Sequence, residues 1–242
     1  MKAGLRDKPV VKFGNLEVGR IPRVVGTVHL RTELSHLPGL IEKGIVDILE
    51  LRADRLYREG REAVKESLLE MKRFELPIIA TVRKGEGHNF DENERVKLFK
   101  ELIPEVDAID IELTAEIRDE VIKTAKSLKK CVIVSEHNLE ETPSDEELER
   151  LLSESVSSGA DITKIAFLSN SVDDIARLMC FTFEHSKIHP LVTISLGDSG
   201  KISRIIAPIF GSCLTYGCIE EAVAPGQMSL QSLNIEFKKY LT

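Results

Sequence analysis

The sequence predicts an α/β protein built as a (β/α)8 TIM barrel, with a short N-terminal hairpin that caps the barrel. Three observations favour this architecture. Short apolar runs recur eight times, segments with helical spacing separate most of them, and successive runs begin roughly 22 to 30 residues apart, the length of one strand and its returning helix. We expect one barrel domain over residues 1–242, with residues 1–22 as the hairpin extension.

The eight apolar runs are rich in valine, isoleucine and threonine, which favour strands buried on both faces. In chain order they are "RVVGTVHL" from Arg23, "VDILELR" from Val46, "PIIATVR" from Pro77, "VDAIDIEL" from Val106, "CVIVSEH" from Cys131, "ADITKIAF" from Ala160, "PLVTISL" from Pro190 and "SCLTYG" from Ser212. Segments such as "REAVKESLLEMKRF" and "SDEELERLLSESVSSG" carry apolar residues at helical spacing. In the second segment Ser144 and Glu147 are spaced as a capping box, and Gly159 stands where the helix would end.

The first 22 residues lie outside the repeat, and within them "VVKFGNLEVG" alternates around Gly14 and Asn15. This pattern predicts a hairpin over the N-terminal mouth of the barrel. A doubly wound open sheet is the alternative architecture. It is disfavoured because no GxGxxG follows the first run and because eight near-equal units exceed its usual strand count.

Composition argues against several classes of protein. The 242 residues are 42% hydrophobic, enough for a large core, and the net charge of −7 comes from interleaved acids and bases, which does not suit a nucleic-acid partner. No apolar run approaches the roughly 20 residues that cross a bilayer, and the N-terminus lacks the apolar core of a signal peptide. We therefore expect a cytoplasmic protein with no membrane partner. Four cysteines without CxxC spacing are expected to be reduced thiols, namely Cys131, Cys180, Cys213 and Cys218.

Charged residues gather at the predicted carboxyl ends of the strands, where a barrel assembles its active site. The strand ends and the segments after them supply Glu50, Arg52, Asp54, Arg83, Glu86, His88, Glu112, Glu136, His137 and Arg204, and the sixth run contains Lys164. We expect these side chains to converge on one mouth of the barrel.

Lys164 interrupts a run that otherwise reads as a buried strand. Alternation puts it on the same face as Ile162, so it points either into the barrel or outward beneath the helices. An unpaired ammonium under apolar helices costs several kcal/mol in order-of-magnitude terms, which favours the inward orientation. There, burial and neighbouring arginines favour the neutral amine, a nucleophile toward ketones and aldehydes. An ion pair with Glu50 or Glu112 is the structural alternative.

His137 closes the strand beside the lysine strand and is the candidate base for removing a proton next to an iminium. Most lone histidines are structural. His137 differs from the other histidines of the chain because it lies at the end of the strand next to Lys164. A carboxylate is expected to hold its ring, either Glu86 or Glu112.

Three arginines, Arg52, Arg83 and Arg204, favour an anionic substrate that carries a carboxylate, because the guanidinium fork matches that geometry. The same cations argue against a metal site, and no HxH, HxxxH or paired-cysteine spacing is present. We therefore expect no metal.

Taken in order, "ELRAD", "TVR", "DIEL", "SEHNLEETP", "ADITKIA", "GKISRI", "FGSCLTYG" and "APGQMSL" resemble the motifs of type I 3-dehydroquinate dehydratases. These are Schiff-base enzymes of the shikimate pathway, which leads to aromatic amino acids. The resemblance spans about Val24 to Leu241. It implies dehydration of 3-dehydroquinate to 3-dehydroshikimate by a barrel that is usually a homodimer and uses no cofactor.

The resemblance also implies roles for single residues. Lys164 would form the imine, His137 would be the general acid and base, and Glu86 would orient that histidine. The substrate contacts would be Glu50, Arg52, Arg83, Arg204 and Gln227, with "AVAPGQ" as a lid.

Three departures from the family pattern stand out. Val223 occupies a position that is often serine, Glu136 and Asn138 flank the histidine in place of the common "NHD", and Glu86 follows Arg83 at a spacing one residue shorter than in many members. Two other functions fit the same pattern of residues. One is a class I aldolase that uses "SLGDSG" for phosphate, and the other is a non-catalytic barrel that binds an anionic metabolite.

Overall fold

The computed structural model describes residues 8–240, and the first strands it contains form the predicted hairpin. Strand β1 (Val11–Phe13) pairs antiparallel with β2 (Leu16–Val18). The left-handed backbone at Gly14 (φ 59°) makes the turn between them, a conformation that glycine adopts without steric cost. The part of the predicted extension that precedes residue 8 lies outside the described residues.

All eight apolar runs are strands, which confirms the predicted repeat. They are β3 (Arg23–Val28), β4 (Ile48–Arg52), β5 (Ile78–Thr81), β6 (Ala108–Glu112), β7 (Cys131–Asn138), β8 (Ile162–Leu168), β9 (Leu191–Leu196) and β10 (Leu214–Cys218). Each pairs in parallel with the strand that follows it from β3 to β9, and β10 pairs in parallel with β3. The strands therefore curl into the predicted TIM barrel.

The barrel closes between β9 and β10. At this seam the backbone N–H of Cys213 donates to the carbonyl of Leu191 (2.8 Å), and the N–H of Thr193 donates to Ser212 Oγ (3.2 Å). A short strand, β11 (Met228–Ser229), extends the sheet beside β10. Strands β9 and β10 are thus joined by a side-chain hydrogen bond as well as by a backbone one.

Helices return the chain between strands. They are α1 (Leu37–Glu42), α2 (Ala53–Leu56), α3 (Arg61–Lys72), α4 (Glu92–Leu102), α5 (Arg118–Ser127), α6 (Asp145–Ser157), α7 (Val172–His185), α8 (Ser203–Phe210) and α9 (Leu230–Tyr240). Helix α6 begins after Ser144, as predicted, with Ser144 Oγ accepting from the N–H of Glu147, and Gly159 (φ 102°) follows its end. Only this half of the predicted capping box forms, because the Glu147 carboxylate accepts from Arg150 instead. Among the described helices, none has the length and apolar character of a membrane span.

The barrel interior has two layers along its axis. Near the N-terminal mouth lies a layer of buried apolar side chains. The hairpin contributes Phe13 and Val18 to it, and the barrel strands contribute Val25, Ile48, Ile79, Ala108, Ile133, Ile162, Val192 and Leu214. Two residues further along most of these strands lies a polar layer, also buried: Thr27, Glu50, Thr81, Asp110, Ser135, Lys164 and Tyr216. The hairpin therefore plugs one end, and the polar layer forms the floor of the other.

Candidate active site

A cavity of about 420 Å³ opens above the polar layer, at the carboxyl ends of the strands. It brings together all eight residues that the sequence predicts for the site, Glu50, Arg52, Arg83, Glu86, His137, Lys164, Arg204 and Gln227. Parallel strands end at one edge of a barrel, which is why residues more than 170 positions apart meet here. Other lining residues include Thr27, Arg55, Tyr216 and Val223.

Lys164 points into the barrel, the orientation that the cost of an unpaired buried ammonium favours. Its side chain is 6% exposed, Nζ donates to Asp110 Oδ2 at 2.8 Å, and Glu50 Oε1 lies 3.8 Å away. The amine is therefore paired. Its main partner is a carboxylate that the sequence reasoning did not single out, although a charged residue inside the apolar β6 run is the same signal that identified Lys164.

Asp110 is the hub of the polar layer. Its Oδ1 accepts from Ser135 Oγ (2.6 Å) and from Arg83 Nη2 (3.2 Å), while Oδ2 accepts from Lys164. Burial on its own raises the pKa of Asp110, but the nearby Lys164 and Arg83 charges outweigh burial and hold the pKa well below its ordinary value. Asp110 is thus a fixed negative charge beside the amine.

His137 extends from β7, whose Ser135 is in register with Lys164 on β8. Its Nδ1 lies 3.3 Å from Arg83 Nη1. Because a guanidinium can only donate, Nδ1 is the acceptor, which places the proton of the neutral ring on Nε2. Burial, followed by the charges of Arg83 and Lys164, lowers the pKa of His137 well below its ordinary value. The resting histidine is therefore a neutral imidazole.

The two carboxylates expected to hold His137 have other partners. Glu86 lies at the rim, where Arg52 Nη2 donates to its Oε2 (2.8 Å) and Arg55 Nη2 lies 3.5 Å away. Glu112 accepts from the backbone of Lys84 (3.0 Å) and from the fully buried Arg95 (2.6 Å).

The Glu86 loop is tied to the segment after β4, which explains where Glu86 lies. The N–H of His88 donates to the carbonyl of Asp54 (2.7 Å), and Arg58 donates to the carbonyls of Glu86 and Gly87. Within the described residues, the ring of His137 is thus held by Arg83, and the Asp110 carboxylate acts on it as a nearby charge that favours protonation.

Glu50 lies in the floor as a hydrogen-bond acceptor with fixed geometry. Thr27 Oγ1 donates to its Oε2 (3.0 Å) and Thr81 Oγ1 donates to its Oε1 (2.9 Å). Hydroxyl donors on the two neighbouring strands, β3 and β5, therefore hold the carboxylate in place inside the barrel.

The arginines differ in how many of their N–H donors already have an acceptor in the protein. Arg52 forms a fork with Asp54 (3.0 and 2.7 Å). Arg204 is also buried, but it donates only to the carbonyl of Tyr216 (3.4 Å), and its Nε and Nη2 have no partner in the described part of the chain. Burial lowers the pKa of Arg204 to about 10. Arg204 is thus a buried cation with donors left over for an anion.

The predicted lid segment, residues 222–227, lies across the cavity. Gln227 Oε1 accepts from the N–H of Val223 (2.7 Å), and the N–H of Gly197 donates to the carbonyl of Pro225 (3.3 Å). Gly226 (φ 71°) packs on Gly197 so closely that a Cβ there would come within 2.3 Å of the Gly197 carbonyl oxygen. The segment is therefore anchored to the loop after β9, and its movement stays a prediction.

Within residues 8–240, no three His, Cys, Asp or Glu side chains converge as a group that could hold a metal ion. Besides Asp110, sequence reasoning did not single out Tyr216. Its only sequence signal is position, an aromatic residue on the inward face of β10 that lines the cavity beneath Lys164.

The family model for type I 3-dehydroquinase matches residues 24–237. A 3-dehydroquinate dehydratase from Methanococcoides burtonii is 37% identical over 232 residues, which cover 93% of this chain and 97% of that relative. A 3-dehydroquinate dehydratase from Aquifex aeolicus is 39% identical over 201 residues, 82% of this chain and 89% of the relative.

Solved structures match over nearly the whole fold. The crystal structure of the 3-dehydroquinate dehydratase from Geobacillus kaustophilus has a TM-score of 0.86 at 25% identity and covers 97% of this chain and 98% of its own. That of the type I 3-dehydroquinate dehydratase from Clostridium difficile, with covalently modified comenic acid, has a TM-score of 0.84 at 31% identity and covers 96% and 97%.

Proposed function

Because the chain belongs to the type I 3-dehydroquinase family, we propose that it is a hydro-lyase that dehydrates 3-dehydroquinate to 3-dehydroshikimate through a Schiff base on Lys164. This reaction would place it in the shikimate pathway of aromatic amino-acid biosynthesis. One observation carries the mechanism: a buried lysine amine lies in a cavity lined by arginines, beside a fixed carboxylate and a neutral histidine. Family membership favours this reaction over an aldolase or a non-catalytic binding protein.

Substrate binding begins with its carboxylate. Arg204 supplies the free donors, Nε and Nη2, for that group. Glu50 and Gln227 line the same cavity and suit the ring hydroxyls, since a carboxylate accepts and an amide can do both. Arg52 is fixed by Asp54 and Glu86, so Glu86 serves the site by holding a substrate contact in place.

Imine formation needs proton transfers that the neighbours of Lys164 can supply. Arg83 donates to Nδ1 of His137, so this lone pair becomes available to the reaction when a substrate anion takes that donor. Lys164 gives one proton to His137 and attacks the ketone carbon. The carbonyl oxygen, which receives the electron pair of the C=O π bond, takes a second proton from the nitrogen and gives a neutral carbinolamine. The carbinolamine hydroxyl takes the proton back from His137 and leaves as water, so the nitrogen becomes an iminium while Asp110 remains its counter-ion.

Elimination follows from the iminium, which acts as an electron sink. His137 removes a proton from the adjacent carbon, and the electron pair moves to the nitrogen to give a neutral enamine. The enamine expels the hydroxyl group one carbon further along, which takes the proton from His137 and leaves as water. A second water molecule hydrolyses the product iminium and restores the Lys164 ammonium, so the histidine ends each cycle neutral.

A homodimer in the cytoplasm is the assembly we propose, on the strength of the family resemblance. Large apolar side chains at the ends of α7 and α8 are exposed and offer a surface for it, among them Phe183 (53%), Ile188 (74%) and Ile209 (42%).

Borohydride trapping tests the mechanism. The protein is incubated with 3-dehydroquinate, reduced, digested and mapped by mass spectrometry, and we expect a stable adduct on Lys164. Lys164→Arg keeps a cation near Asp110 but cannot form the imine, so it should lose both adduct and turnover. Lys201→Ala, which removes an exposed lysine paired with Asp198, is the matched control and should keep both. Turnover at the normal rate in Lys164→Arg would rule out the Schiff base.

A further inference from the structure

Tyr216 provides the surface on which the amine of Lys164 rests. Its side chain comes from β10, is 3% exposed and points into the polar layer. The ring centroid lies 4.1 Å from Lys164 Nζ, with the nitrogen over the ring face. Its hydroxyl oxygen is buried and has no hydrogen-bond partner among the described residues. The ring face, rather than the hydroxyl, is therefore the part of Tyr216 that meets the reacting nitrogen.

Its surroundings keep this tyrosine neutral. Burial, followed by the negative charges of Glu50 and Asp110, raises the pKa of Tyr216 well above its ordinary value. A neutral phenol carries an aromatic quadrupole, which attracts a cation placed over its face. The contact is therefore a cation–π interaction rather than an ion pair with a phenolate.

We propose that Tyr216 is a further catalytic residue, whose ring face stabilises the iminium formed on Lys164. The inference rests on the Schiff-base function proposed above and adds a residue to it. It concerns the reacting nitrogen itself, which the ring touches before any substrate is bound.

The ring face of Tyr216 is expected to stabilise the iminium more than it stabilises the ammonium. The ammonium has three N–H donors and can serve both Asp110 and Glu50, at 2.8 and 3.8 Å. The iminium keeps a single N–H and spreads its charge onto carbon, so it forms fewer hydrogen bonds with those carboxylates. A π face imposes no hydrogen-bond geometry, and it attracts the delocalised cation in a desolvated site where Arg83 and Arg204 otherwise repel it.

Graded fluorination of the ring tests this proposal. The parent variant is Tyr216→Phe, which keeps the ring face and removes a hydroxyl that has no partner, so it should fold and still form the borohydride adduct. Position 216 is then given mono-, di- and trifluorinated phenylalanine, which weaken the quadrupole stepwise with little change in shape. The measurement is the equilibrium yield of the Lys164 adduct against substrate concentration, together with kcat.

We expect the equilibrium constant for the adduct to fall with each added fluorine, by roughly tenfold across the series. The same fluorinated residues placed at Phe13, a buried ring in the apolar layer, provide the matched control and should change neither quantity. An adduct yield and kcat that stay constant across the position 216 series would overturn the role of Tyr216 and leave the Schiff base intact. Absence of any adduct in the wild type would instead refute the proposed function itself.

Discussion

The apolar layer and the polar layer of the barrel are built by the same strands, two residues apart, yet they differ completely in chemistry. On β4 the inward residue changes from Ile48 to Glu50, and on β8 it changes from Ile162 to Lys164. All four side chains are buried. The hydrophobic plug and the charged floor are therefore formed by successive inward-facing positions of the same strands.

The two layers contribute to the protein in different ways. Apolar burial is favourable at roughly 25 cal/mol per Å², so the apolar layer adds stability outright. A buried charge costs free energy unless it is paired. The charged groups of the polar layer all have partners: Lys164 pairs with Asp110, which also accepts from Arg83 above it, and two threonines donate to Glu50. The comparison indicates that the free energy gained by burying the apolar layer offsets the free energy lost by burying the charges of the polar layer, and that those charges are there for function.

Removing the hub of the polar layer should have the largest effect. Asp110→Asn keeps the shape but leaves Lys164 and Arg83 without their shared anion. We expect kcat to fall by about 100-fold or more, because the iminium loses its counter-ion. We also expect a loss of about 3–5 kcal/mol in the free energy of unfolding. Steady-state kinetics and urea denaturation measure the two.

Glu112→Gln is the matched control for that variant, since it lies on the same strand but pairs with Arg95 outside the floor. It should lose stability while keeping most of kcat. Equal losses of kcat in the two variants would contradict the separation between the floor and its surroundings.

The apolar layer should show the opposite behaviour. Phe13→Ala removes a fully buried ring from the hairpin plug, and we expect a loss of about 3–5 kcal/mol in the free energy of unfolding with kcat unchanged in the folded enzyme. Ile21→Ala, at a site 57% exposed, should change stability by no more than about 0.5 kcal/mol. A large drop in kcat for Phe13→Ala under native conditions would show that the plug also shapes the site.

Strand periodicity was enough to predict the architecture, because each β-branched run between helical segments has one stable place in a parallel barrel. Alternation and the strand ends also predicted most of the charged residues that line the cavity, and the family resemblance added Gln227. Four residues expected at the same mouth are not part of the lining: Asp54, His88, Glu112 and Glu136. Strand periodicity did not predict which of these side chains contact each other. Glu86 was expected beside His137, but the loop after β5 is anchored to Asp54 and Arg58, and contacts of that kind between distant segments leave no local pattern.

The carboxylate that does pair with Lys164, Asp110, was overlooked for a related reason. Its neighbour Glu112, two residues on, occupies the strand end where a site residue is expected, yet its side chain reaches Arg95 and the backbone of Lys84. Sequence position alone gives no way to decide which of two carboxylates on one face meets a given cation. The interpretation of Lys164 as an inward, buried amine needed alternation together with the cost of burying an unpaired ammonium, and the structure agrees.

His137 lies where the polar layer meets the cavity, and its charged surroundings come from several strands. Arg83 after β5, Lys164 on β8 and Arg52 on β4 add to burial in lowering its pKa, and Asp110 on β6 opposes them. A histidine of this kind binds fewer protons in the folded state than in the unfolded state at mildly acidic pH. His137 therefore makes the free energy of unfolding larger at higher pH and smaller at lower pH.

The effect of pH is the smallest we expect, and it sharpens the same comparison. As the pH falls below the ordinary histidine value of about 6.5, the unfolded state takes up a proton that folded His137 refuses, so the free energy of unfolding should decrease. His137→Gln should lose that part of the pH dependence, whereas His36→Gln, at an exposed site, should keep it. Urea denaturation over a pH series measures this, and NMR titration of the wild type should find the ring neutral well below pH 6.5. An ordinary titration midpoint for His137 would mean that the arginines of the mouth do not hold this histidine in its neutral form.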